Sequence, residues 1–141
     1  MDRNATAVWK GNLREGSGTI TTQSGALAEL PYSFKTRFED ESGKTGTNPE
    51  ELIAAAHASC FAMQLSHFLA ENGTPATRLE AKAVVTLVPG TGITASALTL
   101  VGTVPELDPA KFRELADKAK AECPVSRALG SINVSLDAKL A

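Results

Sequence analysis

One segment constrains the fold more than any other. From Leu52 to Ala70 the chain contains no Asp, Glu, Lys or Arg, and its apolar residues recur at helical spacing. Leu52, Ala56, Cys60, Met63 and the Ser66–His67 pair form one stripe, and Ile53, Phe61, Leu65, Phe68 and Leu69 widen it. The start is sharply marked: Asn48 can cap, Pro49 suits the first helical position, and Glu50 and Glu51 favour the positive end of the dipole. Asn72-Gly73 stops it. So much apolar surface predicts a helix buried on most of its sides.

Around this helix the sequence reads as α+β. Ala7–Trp9, Thr19–Thr22 and Leu30–Phe34 are short β-prone runs separated by glycine-bearing turns, and Glu39–Gly46 is a polar loop. Ala81–Val88 and Ile93–Val104 flank Pro89-Gly90-Thr91-Gly92, a hairpin signal. Asp108-Pro109 opens a second helix with a stripe of Phe112, Leu115, Ala116, Ala119 and Cys123. Pro124 should break or kink that helix, because it removes a backbone donor and pushes the preceding residue out of helical geometry. From Ile132 to Leu140 apolar and polar residues alternate as in a half-buried strand. The expected architecture is an antiparallel sheet with a central buried helix.

At 141 residues, 43% hydrophobic and 21% charged, the chain suits one domain spanning residues 1–141. A formal net charge of −2 gives no electrostatic case for nucleic acid or an anionic membrane. No uninterrupted apolar run reaches the roughly 18 residues of a membrane span. The N-terminus lacks the apolar core of a signal peptide. A cytoplasmic home is expected, where a catalytic disulfide is permitted and a structural one is unusual.

The two cysteines then stand out. Cys60 lies inside the apolar helix, and Cys123 sits at the break before Pro124. A thiol is a poor nucleophile until a nearby cation or helix N-terminus lowers its pKa. Cys123 has a local candidate in the turn that Pro124 begins. Cys60 has none nearby in sequence, so its cation must come from elsewhere. Arg37, flanked by Phe34 and Phe38 at the end of a strand, is the attractive donor. Other uses of these residues carry less weight. A buried cysteine is often only a small hydrophobe, but two in such contexts ask for more. His57 and Cys60 lie one turn apart, yet no further metal ligands have matching spacing, and two cysteines are too few for a thiolate zinc site. No histidine is obviously placed as the base of a cysteine hydrolase. Trp9 and Tyr32 read as core or interface residues, and His67 as packed or partly exposed.

The stretches Pro31–Glu39, Gly46–Met63 and Cys123-Pro124-Val125-Ser126 resemble the OsmC/Ohr family of peroxidases. The opening Ala7–Gly11 and the Gly16–Thr19 turn share the resemblance, which therefore covers nearly the whole chain. The N-terminal third is more similar to the osmotically inducible OsmC branch than to the organic hydroperoxide resistance branch. The resemblance implies that Cys60 is the peroxidatic cysteine and Cys123 the resolving one. It implies that Arg37 and Glu50 activate and orient Cys60. It also implies an organic hydroperoxide substrate, a dithiol reductant (lipoyl groups in the Ohr branch), no metal or flavin, and an intertwined homodimer. The competing reading is a non-catalytic, stress-induced ligand-binding protein that uses the same apolar cleft.

The spacing of these residues bears on assembly. Glu50 and Cys60 are ten positions apart, about 15 Å along an unbroken helix and rotated by roughly 80°. Within one chain they cannot share a guanidinium. Either the helix breaks, or Arg37 and Glu50 reach Cys60 from a second chain. Ala54–Ala58 contains no breaker, which favours the second.

Overall fold

A computed structural model describes residues 1–141. Its contacts divide the chain into two compact units, Met1–Leu52 and Ile53–Ala141.

In the first unit β1 (Ala5–Lys10), β2 (Ser17–Thr22) and β3 (Leu30–Ser33) form an antiparallel meander in the order β1-β2-β3. The third run does not stay extended through Phe34. Ser33 accepts from the Thr36 amide at 3.2 Å while Thr36 Oγ1 accepts from the Ser33 amide at 2.9 Å. This reciprocal capping starts helix α1 (Phe34–Phe38), so local capping overrides the β propensity of the aromatics. Arg37 thus sits in the last turn of a short helix and not at a strand end. One turn of helix also stacks Phe34 on Phe38, ring centroids 4.8 Å apart.

Helix α2 (Pro49–Glu71) runs without interruption for 23 residues. Asn48 caps it as expected, its Oδ1 accepting from the Glu51 amide at 2.8 Å. Its interior is less enclosed than the sequence implies. His57, Phe61, Leu65, Phe68 and Leu69 are buried, whereas Ala55, Ala56, Ser59 and Ser66 are exposed and Met63 retains 75% of its surface. A single chain therefore covers one face of α2, not most of them. By length and mean hydropathy (1.3 over its best window) the helix could cross a bilayer. Phe61, Leu65 and Leu69 are instead fully buried in a protein core.

The second unit holds β4 (Arg78–Val88), β5 (Gly92–Thr103), α3 (Pro109–Glu122), α4 (Pro124–Ala128) and β6 (Asn133–Leu140). The sheet order is β4-β5-β6. The β4–β5 hairpin is antiparallel as read, but β6 pairs parallel to β5. Such pairing needs a crossover, which α3 and α4 provide. The α+β class stands, with two three-stranded sheets in place of one. Ser96, Leu98, Leu100 and Gly102 alternate on the core face of the central strand. Phe112 packs so closely there that a Cβ on Gly102 would meet its ring at 2.7 Å.

Leu65 has no solvent exposure within this core. Leu65→Ala should lower the unfolding free energy by about 2–5 kcal/mol. Urea denaturation of the variant beside the parent chain measures it.

Candidate active site

Four residues stood out in the sequence, and the fold brings them together as two pairs, one in each unit. Arg37 and Glu50 belong to the first. Arg37 Nη2 donates to Glu50 Oε1 at 2.7 Å, and its Nε reaches the two carboxylate oxygens at 3.3 and 3.2 Å. This is a fork-on-carboxylate pair, with the Glu50 side chain 11% exposed and Arg37 34% exposed. The pairing is positioned by local structure. Thr36 Oγ1 donates to the Thr47 carbonyl at 3.1 Å, and Thr47 Oγ1 donates to Glu51 at 2.7 Å, tying α1 to the start of α2. The guanidinium also lies 5.0 Å from the Phe38 ring centroid.

Beside this pair is an apolar cleft of about 280 Å³, lined by Trp9, Leu13, Tyr32, Phe34, Arg37 and Phe38 among others. Trp9 and Tyr32 contact each other at 5.4 Å between centroids. They line a cleft rather than fill a core, and only the clustering of aromatics around Arg37 hinted at it.

The second pair is the cysteines. Both are free, Cys123 fully buried and Cys60 partly so. The Cys123 thiol points at Cys60 Sγ from 3.0 Å. Pro124 produces this approach. It ends α3 at Glu122 and begins α4, leaving Cys123 between them with non-helical ψ of 124°. The Cys123 thiol makes no capping hydrogen bond. Cys60 opens onto a shallow cleft lined by Ser59, Met63, Gln64, His67 and Pro124.

No lysine or arginine lines that cleft, and the electrostatics follow. Burial pushes the Cys60 thiol above its ordinary value, and the neighbouring Cys123 adds to the effect; the Val125 amide pulls the other way without cancelling it. The second unit by itself provides proximity of sulfurs, not a thiolate.

His57, one turn before Cys60, is fully buried. Its Nδ1 is hydrogen bonded to Ser96 Oγ at 2.6 Å and its Nε2 to Ser126 Oγ at 2.8 Å. No motif in the sequence pairs these three residues. Its two hydroxyl partners account for both ring nitrogens, so it is satisfied without a metal. Burial depresses its pKa below the ordinary 6.5. A buried neutral histidine contributes stability that is fully present above pH 6.5 and is lost as pH falls through its depressed folded value. The urea midpoint should therefore drop on acidification below that pH, and His57→Gln, which does not titrate there, should flatten the drop.

Comparison with known proteins places the chain. Residues 41–137 match the family described as OsmC-like protein, a stretch that contains Glu50, Cys60 and Cys123 and begins just after Arg37. The chain belongs to the OsmC family. It is 45% identical to a protein of Escherichia coli K12 named peroxiredoxin OsmC, over 99% of this chain and 97% of that one. It is 32% identical to the organic hydroperoxide resistance protein OhrB of Bacillus subtilis, over 87% and 90% of the two chains. The crystal structure of that OhrB superposes with a TM-score of 0.71, covering 96% of this chain and 98% of the other. A protein from Legionella pneumophila, 24% identical, shares the fold with a TM-score of 0.70.

Proposed function

We propose that this OsmC-family chain is a thiol-dependent peroxidase that reduces organic hydroperoxides to alcohols. The observation that carries the reading is the 3.0 Å approach of two free thiols, one on α2 and one at the junction of α3 and α4. The names of its relatives, a peroxiredoxin and organic hydroperoxide resistance proteins, support the same class of reaction.

The chemistry balances in three steps. The Cys60 thiolate attacks the distal peroxide oxygen; the O–O bond breaks, the alkoxide takes a proton and leaves as alcohol, and Cys60 becomes a sulfenic acid. The Cys123 thiol displaces water from that sulfenic acid, forming the Cys60–Cys123 disulfide. A dithiol reductant, lipoyl groups being one such donor, then restores both thiols by exchange. The cytoplasm, where thiols are kept reduced, suits this cycle.

The thiolate must come from a cation that the Cys60 cleft lacks. The charge of Arg37, oriented by Glu50, answers that need if it arrives from a second chain. Glu50 lies in the first turn of α2, about 15 Å along the axis from Cys60. In the proposed intertwined homodimer each Arg37–Glu50 pair sits over the partner's Cys60, and the exposed face of α2 bearing Ala55, Ser59 and Met63 is covered. The aromatic cleft beside Arg37 then accepts the organic part of the hydroperoxide.

Counting free thiols after one equivalent of cumene hydroperoxide tests the function: a peroxidase loses both per chain, and a non-catalytic binder loses neither. Cys60→Ser should abolish turnover. Cys123→Ser should permit one oxidation and then accumulate overoxidised Cys60. Retained dithiol-dependent turnover in Cys60→Ser would exclude it as the nucleophile.

The shared site has its own test. Arg37→Ala should slow peroxide attack by about a hundredfold or more and move the acid limb of the pH–rate profile, where Cys60 protonates, to higher pH. Arg37→Lys should keep charge but lose the fork. Co-expressing Arg37→Ala with Cys60→Ser should restore activity, because a mixed dimer pairs an intact Cys60 with an intact Arg37. A stable, active monomer in sedimentation at micromolar concentration would rule out the dimer.

A further inference from the structure

Helix α4 has five residues, too few to hold itself in water, and it begins with the proline that breaks it from α3. Its only buried residue is Ser126. That hydroxyl is bound to Nε2 of His57 at 2.8 Å, and the other ring nitrogen is bound to Ser96 on the central strand β5 at 2.6 Å. His57 and Cys60 are three residues apart on α2, as Cys123 and Ser126 are across the start of α4. The sulfur pair and the imidazole–hydroxyl pair are therefore two adjacent rungs of one contact.

Only the imidazole rung is a strong tie in the reduced protein. A thiol is a weak donor and a weak acceptor, so the sulfur contact and the Val125 amide hydrogen bond to Cys60 hold α4 poorly. A buried imidazole–hydroxyl bond costs more to break, since both groups lose their partners away from water. Ser96 fixes the ring's orientation from the sheet side, so the ring cannot turn to follow a departing α4.

We propose that His57 is a positioning residue: it docks the Cys123–Ser126 junction against α2 and thereby sets the rate of disulfide formation, not the rate of peroxide attack. The rate statement rests on the peroxidase reading above; the docking does not. The step it governs is condensation of the Cys60 sulfenic acid with the Cys123 thiol, which releases water and needs no further oxidant. Without the dock the junction samples open positions, and the sulfenic acid waits.

Two measurements test this. In the reduced protein with no hydroperoxide, Ser126→Ala should raise amide hydrogen exchange across residues 125–128 about tenfold, the cost of one buried hydrogen bond. Ser126→Thr, which keeps the hydroxyl, should restore protection. Unchanged exchange in Ser126→Ala overturns the dock, whether or not the protein is a peroxidase. In single turnover with one equivalent of cumene hydroperoxide, Ser126→Ala should consume peroxide within about twofold of the parent rate while dimedone-trapped Cys60 rises about tenfold. His57→Gln should give the same split and keeps the test open if Ser126→Ala does not fold. Equal slowing of both steps, or no rise in trapping, overturns the rate-setting role. If the parent protein consumes no hydroperoxide, the peroxidase reading fails instead and the exchange measurement alone decides the dock.

Discussion

The continuity of α2 is the constraint on which the rest depends. A 23-residue helix with no breaker is a rigid rod, and it carries Glu50 in its first turn and Cys60 in its fourth. Nothing along Ala54–Ala58 lets it bend to bring the two together. The guanidinium clamp and the sulfur pair are therefore built on separate stretches of chain, each complete as a local structure. The same rod is buried on one face by Phe61, Leu65 and Leu69 and bare on the face carrying Ala55, Ser59 and Met63. A small-residue face of this kind suits close packing against another helix and gives little gain in water.

Pro124 is the second constraint, and its effect is opposite in kind. Where α2 gains rigidity from having no breaker, α3 and α4 gain a junction from having one. An uninterrupted helix would carry Cys123 past α2 at fixed angle. The break turns the backbone at Cys123 and lets a five-residue helix lie where its Ser126 reaches His57. Burial of Cys60 then works against its ionisation. Proximity and activation are different requirements, and the sulfur pair meets only the first.

Much of this was legible in the sequence because it rests on local rules. Asn48 and Pro49 announce the start of α2, Asn72-Gly73 its end, Pro89–Gly92 the hairpin and Cys123-Pro124 the break. The four candidate residues were singled out through their flanking motif, and the contacts among them are Arg37 with Glu50 and Cys123 with Cys60. What escaped depends on partners far apart in sequence. The parallel pairing of β6 on β5 is set by the crossover, not by the alternation of Val134, Leu136 and Ala138, which fits either direction. Helix α1 escaped because Ser33 and Thr36 form a capping box with a threonine where the familiar pattern has a glutamate. His57 stood apart because its partners, Ser96 and Ser126, lie 39 and 69 residues away. The exposed face of α2 was misjudged for a simpler reason: apolar spacing reports how much apolar surface a helix carries, not how much of it one chain covers.

On the dimer reading, these features give assembly a chemical consequence. A chain whose Cys60 is protonated, because burial opposes charge and no cation is near, reacts slowly with peroxides and with other disulfides, since the thiolate is the reactive form. Pairing with a second chain brings the forked guanidinium and removes the penalty at the moment the apolar cleft for substrate also arrives. Nucleophile, cation and binding surface thus become functional together, and an unassembled chain with two adjacent thiols is spared premature oxidation. The cost is that neither half can be tuned alone. A change that loosens the face of α2 weakens activation of the sulfur as well as association, because the helix that buries the interface is the helix that presents Cys60.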